Sequence, residues 1–199
     1  MQSIKQKCGL DTPSSERKSI LGISGSPRRG GNSDTLIDTV LAGAAECGAT
    51  YDKVILQDLE ISPCKACDSC QKTGGCIQDD DMESLFELME KSDVWVLGTP
   101  IYWWGPSAQF KAFIDRWYGV NQRLFQGKQV ILVVSMGGNN DYYARHTVGM
   151  FKDICHYLGM TCIDVIVASG LNGRNDVQDH PEHLTIAREL GIKSIRNCD

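Results

Sequence analysis

Four cysteines crowd into one short stretch, Cys64-x2-Cys67-x2-Cys70-x5-Cys76. Two successive two-residue gaps let three thiolates converge on one inorganic centre. The longer gap, with Gly74 and Gly75 as a turn, brings the fourth. The spacing resembles bacterial ferredoxin ligation, apart from a longer last gap and the lack of a following proline. A [4Fe–4S] cluster is favoured. Structural zinc on four thiolates, or metal-free thiols that switch to a disulfide, fit the same count and spacing.

A second segment proposes an organic ligand. Residues 24–33 read Ser-Gly-Ser-Pro-Arg-Arg-Gly-Gly-Asn-Ser, between an apolar run at 19–23 and a helical pattern at 34–47. Glycines let backbone approach an anion, and the following helix N-terminus offers unpaired N–H groups at a positive dipole end. The segment is neither the six-position dinucleotide fingerprint nor a P-loop, since no Gly-Lys-Ser/Thr follows. A hydroxyl-rich loop without that lysine suits a single terminal phosphate, as in flavin mononucleotide (FMN). Ser24, Ser26, Arg28, Asn32, Ser33 and Thr35 are the candidate phosphate and ribityl contacts. The bland alternative is an ordinary strand-to-helix turn with Ser33 as N-cap.

Two more segments suit a flavin ring. Between Thr99 and Pro106 lie Pro100, Ile101, Tyr102, Trp103, Trp104 and Gly105. Pro100 stiffens this loop, the aromatics offer a flat apolar wall, and backbone N–H groups around Ile101 to Trp103 offer an edge. Ser135-Met136-Gly137-Gly138 would close over the pyrimidine end, with Ser135, Gly137 and Gly138 approaching the ring through their backbone. N–H groups there would stabilise an anionic reduced flavin. A core or interface aromatic cluster and a plain strand-end turn are the structural alternatives.

Other candidates carry less. Asp79-Asp80-Asp81 reads as a helix start, with Asp80 and Glu83 at capping-box spacing. His146, His156, His180 and His183 show no ligand spacing with one another. No nucleophile elbow is present, which argues against a hydrolase. Cys8, Cys47, Cys155, Cys162 and Cys198 are scattered and read as small buried or incidental surface thiols.

The elements that must position these segments alternate. Strand-like runs fall at 19–24, 51–58, 93–99, 128–135 and 160–168. Between them, helical stripes at three- and four-residue spacing run through Leu36, Val40, Leu41 and Ala44, then Leu85, Leu88 and Met89. Phe110, Phe113, Ile114 and Trp117 form a third, Val148, Phe151, Cys155 and Leu158 a fourth, and Leu184, Ala187, Leu190 and Ile195 a last. Such alternation implies an α/β fold: a doubly wound, five-stranded parallel sheet in the flavodoxin-like order 2-1-3-4-5, helices on both faces. Ligands then sit beyond the carboxyl ends of the strands, where the candidate loops fall. We expect residues 1–18 to be a loose extension and 19–199 to form one domain with a cysteine-rich insertion at 59–80.

Bulk properties agree. The chain has 199 residues, 42 % hydrophobic, with a formal net charge of −5. No basic stripe suggests nucleic acid, no apolar run approaches the roughly 20 residues of a membrane span, and the start lacks a secretory h-region. These features predict a cytoplasmic protein.

Three motifs together resemble the NADPH-dependent FMN reductase branch of flavodoxin-like proteins, and within it the iron–sulfur flavoproteins. They are Gly25-Ser26-Pro27-Arg28 with Asn32-Ser33; Thr99-Pro100-Ile101-Tyr102-Trp103; and the Cys64, Cys67, Cys70, Cys76 array followed by Asp80-Asp81-Met82. The resemblance covers 19–168. It implies bound FMN, a [4Fe–4S] cluster near a flavin across a subunit interface, and a homodimer or a homotetramer built from dimers. Trp103-Trp104 is bulkier than the family's usual pair. The function that follows is an FMN-dependent oxidoreductase passing electrons from NAD(P)H, or from a ferredoxin-like donor through the cluster, to a small acceptor such as a quinone or free flavin. A flavodoxin-like electron carrier and a zinc or thiol redox sensor are the alternatives.

Overall fold

The computed structural model describes residues 17–196. Most of the anticipated N-terminal extension, with Cys8 and Cys198, lies outside the described residues. Five parallel strands are β1 (Ser19–Ser24), β2 (Thr50–Ile55), β3 (Val94–Tyr102), β5 (Gln129–Ser135) and β6 (Thr161–Ala168). They run in the spatial order β2-β1-β3-β5-β6, which is the anticipated 2-1-3-4-5 for the parallel strands. A sixth strand, β4 (Gly105–Pro106), turns back antiparallel on the end of β3, pairing Ile101 with Pro106 and Tyr102 with Gly105. The expected 99–106 loop is therefore a hairpin that lengthens β3.

Period-two alternation splits the sheet between two apolar layers. Along β3, Val94 and Val96 face α1 (Asn32–Ala45) and α6 (Pro181–Arg196). Trp95 and Leu97 face α3 (Met82–Lys91), α4 (Ala108–Asp115) and α5 (Arg145–Leu158). Residues Val130 to Val134 of β5 are fully buried, as a strand covered on both faces requires. β2 is an edge strand, and its first three residues are exposed. The expected strand at 51–58 ends at Ile55 and gives way to a 3₁₀ turn, Leu56–Asp58.

Helix α1 begins at Asn32, two residues before the expected start, and its N-cap is Gly31 rather than Ser33. A sixth helix, α2 (Ser69–Thr73), is a single short turn inside the cysteine segment. Helix α3 starts just after the three aspartates, but the capping box does not form. Asp80 instead directs Oδ2 to the Arg116 guanidinium at 2.5 Å, an interaction no local pattern encodes. No helix among the described residues is long and apolar enough to cross a membrane.

Candidate flavin cleft and cysteine centre

The turns after β1, β3 and β5 meet around one cleft of about 160 Å³. Ser26, Arg28 and Asn32 line it from the loop after β1 and the start of α1, Pro100, Ile101 and Tyr102 from the carboxyl end of β3, and Ser135 and Gly137 from the end of β5 and its turn. A fourth segment, after β6, completes the wall with Leu171, Asn172 and Arg174. The sequence expectation missed it, although Asn172-Gly173-Arg174-Asn175 follows the last strand at the same carboxyl edge.

The loops are tied to one another by their polar side chains. Ser33 Oγ and Ser135 Oγ lie 2.7 Å apart. Asn32 Nδ2 donates to the Gly173 carbonyl at 2.8 Å, and Asn32 Oδ1 accepts from Val177 N–H at 3.1 Å. Asn32 thus anchors the fourth segment while still facing the cleft. Ser26 Oγ accepts from Arg28 N–H at 3.1 Å, a local turn that shapes the loop. Asp34, on the first turn of α1, takes the Gly30 N–H at 2.7 Å. Ser107 caps α4 by accepting from Phe110 N–H, and donates to the Gly25 carbonyl at 2.6 Å.

These residues fit a single phosphate with a polar chain. Ser24, on the last residue of β1, is fully buried and does not line the cleft, and its hydroxyl meets no partner among the described residues. A buried, unpaired hydroxyl is a group that a ligand oxygen would satisfy. Arg28 and Arg174 put two cationic residues on the cleft wall, a composition suited to an anion, and the Arg174 guanidinium donates to the Arg29 carbonyl. Thr35 is half-buried on α1 and does not line the cleft. Gly137 is where it is for packing: a Cβ there would stand 2.5 Å from Asn172 Oδ1. Gly138 in the same way admits the Tyr143 ring, 2.7 Å from the Cβ it lacks.

The aromatic wall is split. Tyr102 lines the cleft, whereas Trp103 and Trp104 form the hairpin tip with φ of 49° and 64°. Two consecutive left-handed residues are the requirement of a type I′ turn, usually met by Asn-Gly. Tryptophan there is strained, and Trp103 is 91 % exposed. Trp104 is braced by Thr147 Oγ1 on its carbonyl at 3.0 Å and by the Tyr143 ring edge-on at 6.4 Å.

The four cysteines converge on a second, narrow pocket whose wall includes Gln78, Arg116, Tyr118 and Gly119. Each sulfur has a donor. Ala66 N–H reaches Cys64 Sγ at 3.5 Å, Gln71 Nε2 reaches Cys70 Sγ at 3.8 Å, and Arg116 Nη2 reaches Cys76 Sγ at 3.4 Å. The N–H and hydroxyl of Ser69 hold the Cys67 thiol below its ordinary pKa. Ala66 and Asp68, at φ of 49° and 56°, bend the loop around the pocket. Gln78 Oε1 and Arg116 Nε are buried and unpartnered among the described residues. No three of the sulfurs lie within 4.8 Å of one another. Four converging thiolates are a donor set that either a single zinc ion or an iron–sulfur cluster would use.

The sequence pattern of the NADPH-dependent FMN reductase family matches residues 19–172, the span that holds all four cysteines and every cleft-lining residue but Arg174. The chain belongs to this family. That places it among FMN-dependent oxidoreductases. A protein of Methanosarcina thermophila named iron-sulfur flavoprotein is 34 % identical over 145 residues, 72 % of this chain and 76 % of that one. One of the same name from Archaeoglobus fulgidus is 35 % identical over 138 residues, 69 % of this chain and 59 % of that one. Among solved structures, the NAD(P)H:quinone oxidoreductase of Methanothermobacter marburgensis matches with a TM-score of 0.72 at 18 % identity, covering 92 % of this chain and 100 % of that one. An FMN-dependent NADH-azoreductase of Bacillus anthracis matches at 0.69 and 15 % identity over 90 % and 100 %. At such identities the structures share the fold.

Within this family member the two sites stand at opposite ends of α4. Ser107 at its start holds the loop after β1 through the Gly25 carbonyl, and Arg116 just past its end contacts Cys76. Nine residues of helical rise separate Ser107 from Arg116 by roughly 13 Å along the helix axis. A third cluster also forms. His180, Glu182 and His183, without apparent ligand spacing in the sequence, bring their donor atoms within 4.8 Å of one another, with His180 Nδ1 3.0 Å from Glu182 Oε1. They sit at the positive end of α6, which disfavours a cation.

Proposed function

We propose that this protein binds FMN in the cleft at the carboxyl edge of the sheet and a [4Fe–4S] cluster on Cys64, Cys67, Cys70 and Cys76. It passes electrons from NAD(P)H or a ferredoxin-like carrier to a small acceptor such as a quinone or free flavin. The observation that carries this reading is the meeting of four separate chain segments around one cleft, with two arginines on its wall. Bound FMN would supply the hydride and single-electron chemistry. Ser24, Ser26 and Arg28 would take the phosphate end, with Arg174 closing from the fourth segment. Ile101 and Tyr102 would hold the ring, and Ser135 and Gly137 its polar edge.

Ser33, Thr35 and Gly138 act behind the cleft, and Pro100 stiffens the ring-bearing strand end. Trp103, Trp104 and Gly105 shape the mouth through which nicotinamide and acceptor reach the ring in turn. The chain shows no second nucleotide fingerprint, so that slot is shallow and built over the flavin. The cysteine pocket holds about 20 Å³, the room of a water, so loading requires the exposed 64–68 segment to move outward. We read 19–199 as one FMN-binding domain carrying the 59–80 insertion, working in the cytoplasm as a homodimer or homotetramer. The iron–sulfur names of the relatives support the cluster assignment.

The test is an absorption spectrum of protein purified without oxygen, with iron and acid-labile sulfide assayed on the same sample. Flavin bands with a broad visible shoulder, and iron and sulfide near four per chain, would support the full reading. Flavin bands without iron would remove the cluster and leave an FMN reductase, which NAD(P)H turnover would then separate from a carrier. A colourless protein that takes up no FMN would sink the reading.

A further inference from the structure

Arg116 occupies an unusual position for a cation. Its side chain is 2 % exposed and it is shared among three acceptors. Nη1 donates to Asp80 Oδ2 at 2.5 Å and to the Ser62 carbonyl at 3.0 Å, and Nη2 reaches Cys76 Sγ at 3.4 Å. Burial alone would pull its pKa down, but Asp80 and Cys76 raise it, so the charge is held. Asp80 is itself 8 % exposed and also accepts from Ser62 N–H. The nearest other cation on the pocket wall, Lys65, is exposed and screened by water. One buried positive charge therefore contacts Cys76 and is itself paired with one buried negative charge.

We propose that Arg116 sets the charge balance of the metal–thiolate group carried by the four cysteines, and that Asp80 positions it and limits its effect. The inference rests on the proposed cluster. Thiolate-bound metal carries net negative charge, and a reduced cluster carries more. A fixed cation against Cys76 stabilises the reduced form and raises the potential, while a fixed anion one step behind opposes it. The low local dielectric makes both effects larger than on a surface.

Two substitutions separate this role from a merely structural one, because their signs oppose. Spectroelectrochemistry of the iron–sulfur protein should show Arg116→Gln shifting the one-electron couple at least tenfold toward the oxidised form, about 59 mV more negative. Asp80→Asn, which leaves the cation uncompensated, should shift it more positive. The flavin couple, at the far end of α4, should stay put in both. If Arg116→Gln fails to fold, the positive shift of Asp80→Asn carries the test alone. Unchanged potentials, or shifts of one sign in both variants, would overturn the proposal.

A parallel measurement keeps the cluster reading separate. Metal-free protein is titrated with cobalt(II) alone, following thiolate-to-cobalt absorption. Cobalt affinity at least tenfold weaker in Arg116→Gln supports the role even where wild-type protein retains no iron or sulfide, an outcome that would defeat the cluster. Equal affinity in wild type and variant overturns the role of Arg116.

Discussion

The hydroxyls of Ser33 and Ser135 meet at 2.7 Å across 102 residues of chain, and both side chains are buried. This bond joins the first turn of α1 to the end of β5, so the segments that follow β1 and β5 share one support. Because both hydroxyls are shielded from water, replacing one strands the other. Ser33→Ala and Ser135→Ala should each cost about 1–3 kcal/mol, and the double variant less than their sum. Urea unfolding of the four proteins gives the coupling, and strict additivity would show that the contact contributes nothing.

Asn32 makes the corresponding link to the fourth wall. Both ends of its amide are occupied by the 171–177 segment. Asn32→Leu fills the space but strands Val177 N–H and the Gly173 carbonyl. Stability should fall by about 1–3 kcal/mol. Hydrogen exchange should rise at Gly173 to Val177, and FMN should bind more weakly because Arg174 loses its placement. Unaltered exchange in that segment would refute the anchoring role.

The Trp103-Trp104 tip is strained in a way a simple substitution can relieve. Trp103→Asn with Trp104→Gly supplies the residues a type I′ turn prefers. Removing strain of about 1–3 kcal/mol per residue should raise the thermal midpoint, while turnover of bulky acceptors should fall. A drop in midpoint would mean that the rings stabilise the hairpin by packing more than their backbone costs.

Lys53 ties edge strand β2 to α1, 2.8 Å from Asp34 and 2.6 Å from Asp38. Burial pulls its pKa down, but the two carboxylates outweigh this and hold it above the ordinary 10.5. A raised folded value means that the pair stabilises fully below pH 10.5 and that its contribution vanishes as pH rises through the folded value. Lys53→Met leaves Asp34, 4 % exposed, without its cation. It should cost about 3 kcal/mol at neutral pH and flatten the alkaline loss of stability. Base titration followed by circular dichroism, with the two curves converging at high pH, is the check; parallel curves would exclude the ion pair as the cause.

Much of this molecule is written in local order. Period-two burial along Val94 to Leu97, the continuous apolar run of β5 and the three-and-four stripes of the helices each repeat within a few residues. They were therefore legible without any fold, and the carboxyl-edge rule then brought residues 24–33, 100–102 and 135–137 together. Three features were not legible. Arg116 reaches Asp80 and Cys76 across 36 and 40 residues. Asn32 holds a segment more than 130 residues away. His180, Glu182 and His183 converge only through the geometry of a helix start. The first two contacts depend on which strand lies beside which and on where each helix ends. Those are properties of the packed chain as a whole, and no local period carries them. The four cysteines lie between these cases: their spacing announced a metal-ready cluster, and only the packed chain set an arginine behind it.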